Sequence, residues 1–284
     1  VDRFVLAQLQ QRNMTPAAEA DRRTLIRRVY FDLIGLPPSP AAVKQFLADR
    51  SATAYQDLID RLLKSEHYGE RWARHWLDVA RFGESDGSDV RENKLRPDAW
   101  KYRDAVITAF NQDLPYNEFV ALQLAGRGLD TNSALAAGLA RFPQLGTSLK
   151  DSDNPNDKMF HRLDDMVSTT GSAFLGMTIG CARCHDHKID PITAEEYYRL
   201  TAVFFSQVKV EPRASDRQIP LEIREPHLLA GGSWKRPVRK VTPGFVEVLM
   251  REESRSEDWL AGTSNPAPRE PRYALALWIT DADH

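Results

Sequence analysis

No run of apolar residues in these 284 approaches the roughly 20 that carry a helix across a bilayer, so no membrane span is expected. No charge of one sign dominates. The 38 Lys and Arg stand against 40 Asp and Glu, a formal net charge of −2, which offers nothing to a nucleic-acid backbone or an anionic membrane surface. P-loop and dinucleotide fingerprints are missing and no nucleophile elbow is expected, so nucleotide chemistry and serine hydrolysis start without support. Cysteine is nearly absent: there are two. That scarcity excludes a disulfide framework, and no second CxxC or spaced histidine pair is there to complete a four-ligand zinc site. The remaining composition, 42% hydrophobic and 27% charged, is that of an ordinary globular protein, long enough for one large domain or two smaller ones.

Those two cysteines carry the most information. They sit in Cys181-Ala182-Arg183-Cys184-His185, the C-x-x-C-H spacing of covalent c-type haem attachment. Each thiol would form a thioether to a haem vinyl group, and His185 would be the proximal iron ligand. The competing readings are a redox dithiol or disulfide, for which no βαβ context is apparent, and a metal site, for which Cys181, Cys184 and one of His185 or His187 supply three ligands. If haem is bound, the protein is expected to be exported, periplasmic or beyond. The chain also reads as cut from a longer one: Val1 begins directly in a helical pattern, no signal peptide precedes it, and a signal would lie upstream.

The fold class expected is mainly α: a multi-helix domain over residues 1–208 around the CxxCH site, then an extended, partly β segment over 209–284 that begins a following domain. Leu25, Ile26, Val29, Tyr30, Leu33 and Ile34 form one apolar helical stripe, closed by Gly35 and barred from continuing by Pro37-Pro38. Ser39 caps the next helix with Pro40 at its first position. Residues 55–82 read as two helices broken near His67-Tyr68-Gly69. Further helices are expected over about 98–110, 115–124 and 158–177, with a loop over 143–157. Thr193-Ala194-Glu195-Glu196 is a capping box opening another helix. Beyond Lys209, the pieces Ile219 to Ile223 and His227 to Leu229 suggest strands, and Arg272 to Ile279 a closing helix.

Four segments together carry a resemblance: Arg28 through Pro38, His67 through Asp78, Gln123-Leu124-Ala125-Gly126, and Gly180 through Pro191. The chain resembles the planctomycete-type cytochrome-associated domain family of uncharacterised function over about residues 1–208. From Val241 its tail is similar to the start of the domain that usually follows. The resemblance implies large exported proteins, often with a separate cytochrome domain ahead. It implies a setting rather than a reaction. Arg127-Gly128 departs from the acidic residue usual after Gln-Leu-Ala-Gly.

Several other side chains are candidates. The distal haem position could fall to His67, His75, Met159, His161, Met166 or Met177, with His75 slightly favoured, although methionine at helical spacing is ordinarily core. His187 suits a propionate or supporting contact, and Arg183 and Lys188 could neutralise propionates. Asp186 or Asp190 could cap the helix that Thr193 opens. Arg71, Arg74, His75, Asp78 and Arg81 form a polar helical face, either a solvated ion-pair surface or a pocket wall; His67, His75, Asp78 and Arg81 are the catalytic candidates. Glu84 to Asp89 is rich in oxygen ligands and a weak Ca²⁺ candidate without the EF-hand pattern.

The leading functional expectation is an exported haem c redox protein: an oxidoreductase on an extracellular, carbohydrate-derived substrate, or its electron-transfer component. A cytochrome domain or other redox protein would be its partner, with a glycan or small molecule as substrate. The alternative is a scaffold or binding module with a structural haem or metal. A hydrolase using carboxylates between Asp78 and Asp89 ranks last.

Overall fold

The structure, a computed structural model, describes residues 1–85, 95–126, 134–145, 154–208, 222–251, 254–261 and 269–282. It is mainly helical, with one small sheet, and divides into two compact units, Val1–Trp72 and Ala73–His284.

The first unit holds α1 (Asp2–Gln11), α2 (Arg22–Ile34), α3 (Pro40–Ala48), α4 (Ala54–Leu63) and the start of α5 (Glu66–Val79). Asp21 opens α2 by accepting from the backbone N–H of Arg23 and Thr24 at 2.9 and 3.0 Å, and Gly35 closes it at φ +70°. Ser39 caps α3 as expected, its Oγ 3.1 Å from the Ala42 amide, with Pro40 in the first turn. Ile26, Val29 and Ile34 of α2 meet Phe46 of α3 and Leu58 and Leu62 of α4 in a small core. The helix break expected near His67-Tyr68-Gly69 falls instead at Lys64-Ser65. A lone helical glycine costs only about 1 kcal/mol, so Gly69 does not interrupt α5, while Ser65 and the first-turn Glu66 favour a start.

The second unit contains the rest of α5, then α6 (Ala99–Asn111), α7 (Tyr116–Ala125), α8 (Ala134–Leu139), α9 (Pro155–Thr170), α10 (Ala194–Phe204), strands β1 (His227–Leu229) and β2 (Pro237–Lys240), α11 (Ser256–Ala261) and α12 (Pro271–Ile279). α6 packs on α8, α7 on α12, and α9 on α10. Leu163 and Val167 of α9, Leu200 and Phe204 of α10, and Phe245 and Trp278 from the later chain share one core. Phe245 and Trp278 stack at 5.1 Å. β1 pairs antiparallel with β2 and packs on α10, with a bulge between Leu228 and Leu229. In the expected strand Ile219 to Ile223, residues 219–221 lie outside the described residues, and Glu222 and Ile223 form no strand. The Glu222 amide is already taken, donating to Asn156 Oδ1 at 2.9 Å. Of the loop expected over 143–157, residues 146–153 lie outside the described residues, Pro143 and Gln144 belong to a short 3-10 turn, and α9 starts already at Pro155 behind an Asn154 cap.

α10 is the element that organises the site. Thr193 and Glu196 form the expected capping box: Thr193 Oγ1 accepts from the Glu196 amide, while Glu196 Oε2 takes both the amide and the hydroxyl of Thr193 at 2.7 Å. Glu196 is buried, and its second oxygen accepts from the Glu247 amide at 2.8 Å. The cap thus also fastens the later chain to α10.

Candidate functional site

The cysteine motif begins as a 3-10 turn, Ile179–Arg183. Residues three apart eclipse in such a turn. Ile179 and Ala182 therefore share one face, and both are fully buried. Cys181 and Cys184 share another, and both are exposed, free thiols. The spacing that in an α-helix would only roughly align two side chains here places both thiols on the same outward side. Close approach to α9 makes this possible: a β-carbon at Gly180 would lie 2.7 Å from Ser168 Oγ.

Three clamps hold the loop. Arg183 Nη1 donates to Asp164 Oδ2 of α9 at 3.0 Å, and Tyr197 of α10 donates to Asp164 Oδ1 at 2.5 Å. Tyr198 donates to the Arg183 carbonyl at 2.9 Å. Beyond the motif, Asp186 Oδ1 accepts from the Ala194 amide at 2.8 Å, the helix-capping contact anticipated for Asp186 or Asp190. Burial, reinforced by Asp164, pushes the Tyr197 phenol well above its usual range. Burial likewise pushes Tyr198 up to about 12, against the opposing Arg183 charge. For Arg183, burial disfavours the charge, but Asp164 and the phenols outweigh it and hold the guanidinium protonated.

The two histidines divide. His187 is inside the turn, its side chain only 7% exposed. Its Nδ1 accepts from the amides of Asp190 at 2.8 Å and Ile189 at 3.3 Å, and its own amide donates to the Ile192 carbonyl at 2.8 Å. An accepting Nδ1 carries no proton, so the Asp190 carboxylate 3.5 Å away makes no ion pair with that atom. His187 thus organises the loop through Nδ1. His185 is exposed, and its Nδ1 donates to the Asp186 carbonyl at 2.7 Å, since a carbonyl can only accept. The lone pair is then on Nε2, the tautomer a metal-ligating imidazole needs.

A family model described as "PSCyt2: Protein of unknown function (DUF1549)" matches residues 1–209. The chain belongs to that family. No curated protein and no solved structure matches it. The PSCyt2 region contains the whole cysteine loop, α9 and α10, and ends before the β1–β2 hairpin.

The remaining candidates scatter over this PSCyt2 member. Arg183 pairs with Asp164 through Nη1, and Lys188 is exposed. Met159 and Met166 are packed in the core. Met177 is partly buried against that core. His161 is half-buried on α9, with Nδ1 buried and unpaired. His67, in the first unit, contacts Glu70 at 2.7 Å. His75 and Asp78 are exposed on α5. The Arg81 side chain makes a two-pronged pair with Asp165 of α9, at 2.5 Å through Nε. Glu84 pairs with Arg103, and residues 86–89 of the Ca²⁺ candidate lie outside the described residues. Gly83-Glu84-Ser85-Asp86-Gly87 does have G-x-S-x-G spacing, but it follows helix α5, not the strand a nucleophile elbow requires. Among the described residues, no group of three or more His, Cys, Asp or Glu side chains is placed to hold a metal ion. Asp164, Tyr197 and Tyr198 were missed from sequence. The adjacent tyrosines behind the capping box were the available signal, and Asp164 had none.

Proposed function

We propose that this chain is an exported c-type haem protein in redox chemistry, acting as the electron-transfer component of an extracellular oxidation. The observation that carries the proposal is the pair of free thiols on one outward face of a 3-10 turn, with His185 next to them and its Nε2 left to ligate. The donor set fits haem c: Cys181 and Cys184 as anchors and His185 as proximal ligand. Bound there, the group would supply one-electron exchange at iron. Exposure favours transfer over buried catalysis: Cys181, Cys184, His185, Lys188 and Ile189 all face solvent, accessible to a partner redox protein or cytochrome domain. A surface cavity of about 240 Å³ in the same unit is lined by Arg96, Asp98, Tyr102 and Arg141 and by no residue of the loop. Direct oxidation of a carbohydrate-derived substrate is the less favoured arm.

The test uses protein from a host with c-type haem maturation. Haem that remains on the denatured polypeptide, gives a c-type pyridine haemochrome spectrum and disappears in Cys181→Ala/Cys184→Ala is the expected result. A haem-free band from fully matured protein overturns the reading. Six-coordinate, ligand-inert iron supports transfer, and five-coordinate iron that binds small ligands supports catalysis instead.

A further inference from the structure

The turn between β1 and β2 rests on the Cys184 sulfur. Gly231 and Gly232 are consecutive left-handed residues, at φ +57° and +72°. A β-carbon at Gly232 would lie 2.9 Å from Cys184 Sγ and 3.3 Å from Arg183 Cγ. The turn is fastened from within: the Ala230 amide donates to the Arg236 carbonyl at 3.0 Å, and the Arg236 amide to the Ser233 carbonyl at 2.9 Å. It is fastened from outside as well, since β1 packs on α10 and Arg239 of β2 pairs with Glu195 of α10. α10 is bound to the cysteine loop through Asp186–Ala194 and Tyr198–Arg183. Loop, helix and hairpin therefore form a closed mechanical circuit, although the hairpin lies outside the region matched by the family.

We infer that the hairpin turn at Gly232 is part of the attachment site: it covers one flank of the Cys184 sulfur and fixes the direction from which that thiol reacts. The inference rests on the haem reading of the same loop. In attachment, the thiol adds across a vinyl double bond. The S–H bond breaks, the S–C bond forms, the proton ends on the other vinyl carbon, and no electrons are exchanged. Such an addition requires the sulfur to point at the vinyl group before it reacts. A methyl group at Gly232 would make the sulfur rotate about χ1 or make the turn withdraw. Either response alters Cys184.

Gly176 supplies the control. It has φ +65° and nothing within 4 Å of a built β-carbon, so Gly176→Ala imposes the same backbone strain without touching sulfur. Haem-free protein is treated with iodoacetamide, and the alkylation rates of Cys184 and Cys181 are compared by peptide mass spectrometry. Gly232→Ala is expected to change the Cys184:Cys181 ratio about threefold or more, equivalent to about 0.7 kcal/mol at 1.4 kcal/mol per tenfold, while Gly176→Ala leaves it unchanged. Gly232→Asn repeats the test with a residue that tolerates the left-handed region better, should the alanine variant fail to fold. In matured protein the doubly attached haem fraction falls in the Gly232 variants, with single attachment at Cys181 rising. An unchanged alkylation ratio, or equal shifts in the Gly232 and Gly176 variants, overturns the inference. A shifted ratio in wild-type-like protein that never acquires haem overturns the functional reading and leaves the positioning of Cys184 standing.

Discussion

Asp164→Asn is the sharpest perturbation of the loop. The substitution keeps the size of the side chain and an oxygen to accept from Tyr197, but deletes the charge that holds Arg183. Exposed ion pairs are worth about 0–1 kcal/mol, and breaking a fully buried one costs about 3–5 kcal/mol. Arg183 and Asp164 are 34% and 26% exposed, so solvent screens part of the interaction and a loss of about 1–3 kcal/mol is expected. At about 2–4 °C per kcal/mol for domains of this size, thermal unfolding should move down by about 2–12 °C. Asp164→Leu removes the Tyr197 acceptor too and should cost about 1–3 kcal/mol more. Cysteine alkylation gives the local readout, because a released Arg183 frees the backbone on which Cys184 stands. An Asp164→Asn protein with unchanged melting temperature and unchanged Cys184 alkylation would show that the pair does not anchor the loop, and the reasoning would fail.

Two further expectations are independent of haem. Burial pushes the folded Tyr198 phenol up to about 12 from the ordinary 10, so its stabilising effect is complete below about pH 10 and is lost as pH rises through about 12. Tyr198→Phe should cost about 0.5–1.5 kcal/mol at about pH 8, and urea midpoints should show the gap from wild type narrowing by about pH 11; a constant gap refutes the assignment. Gly138 of α8 lies where a β-carbon would come 2.7 Å from the Lys101 carbonyl of α6, so Gly138→Ala should lower the melting temperature, its overpacking cost of about 1–3 kcal/mol exceeding the gain in helix propensity of about 1 kcal/mol. A higher melting temperature would show that α6 and α8 are not in the close contact described.

Local signals carried most of the helical architecture. The Gly35 terminator, the Ser39-Pro40 start and the Thr193–Glu196 box all act within one turn of chain, and each is found where expected. Gly69 failed as a signal because a glycine's cost is small against a helix whose apolar face is packed. The proposed attachment residues stand in five contiguous positions, so the motif was local as well. Their supports were not. Asp164 reaches Arg183 over 19 positions and Tyr197 over 33, and Gly232 meets Cys184 from beyond the family region. No periodicity or spacing encodes such contacts. The pairing of Arg183 with Asp164 was not foreseen, because the carboxylate comes to it only in the folded chain.

The division between His185 and His187 says most about what the loop is for. Two histidines separated by one residue could each be a ligand, and a stabilising loop would use both inward. Here His187 spends its Nδ1 lone pair on two backbone amides and closes the turn. His185 has its Nδ1 proton taken by the neighbouring carbonyl, which directs its remaining lone pair away from the turn. Ile179 and Ala182 are likewise sunk in the core, while Cys181 and Cys184 stand clear of it. Ala182 of the motif is thus turned in beside Ile179, while Cys181, Cys184 and His185 are exposed. A loop selected only for packing would gain about 25 cal/mol for each Å² of apolar surface hidden and would have reason to bury its thiols, since cysteine is among the most readily buried side chains. On the proposed haem reading, thiols held at the surface beside three clamps and a hairpin turn are open to a large group arriving from outside.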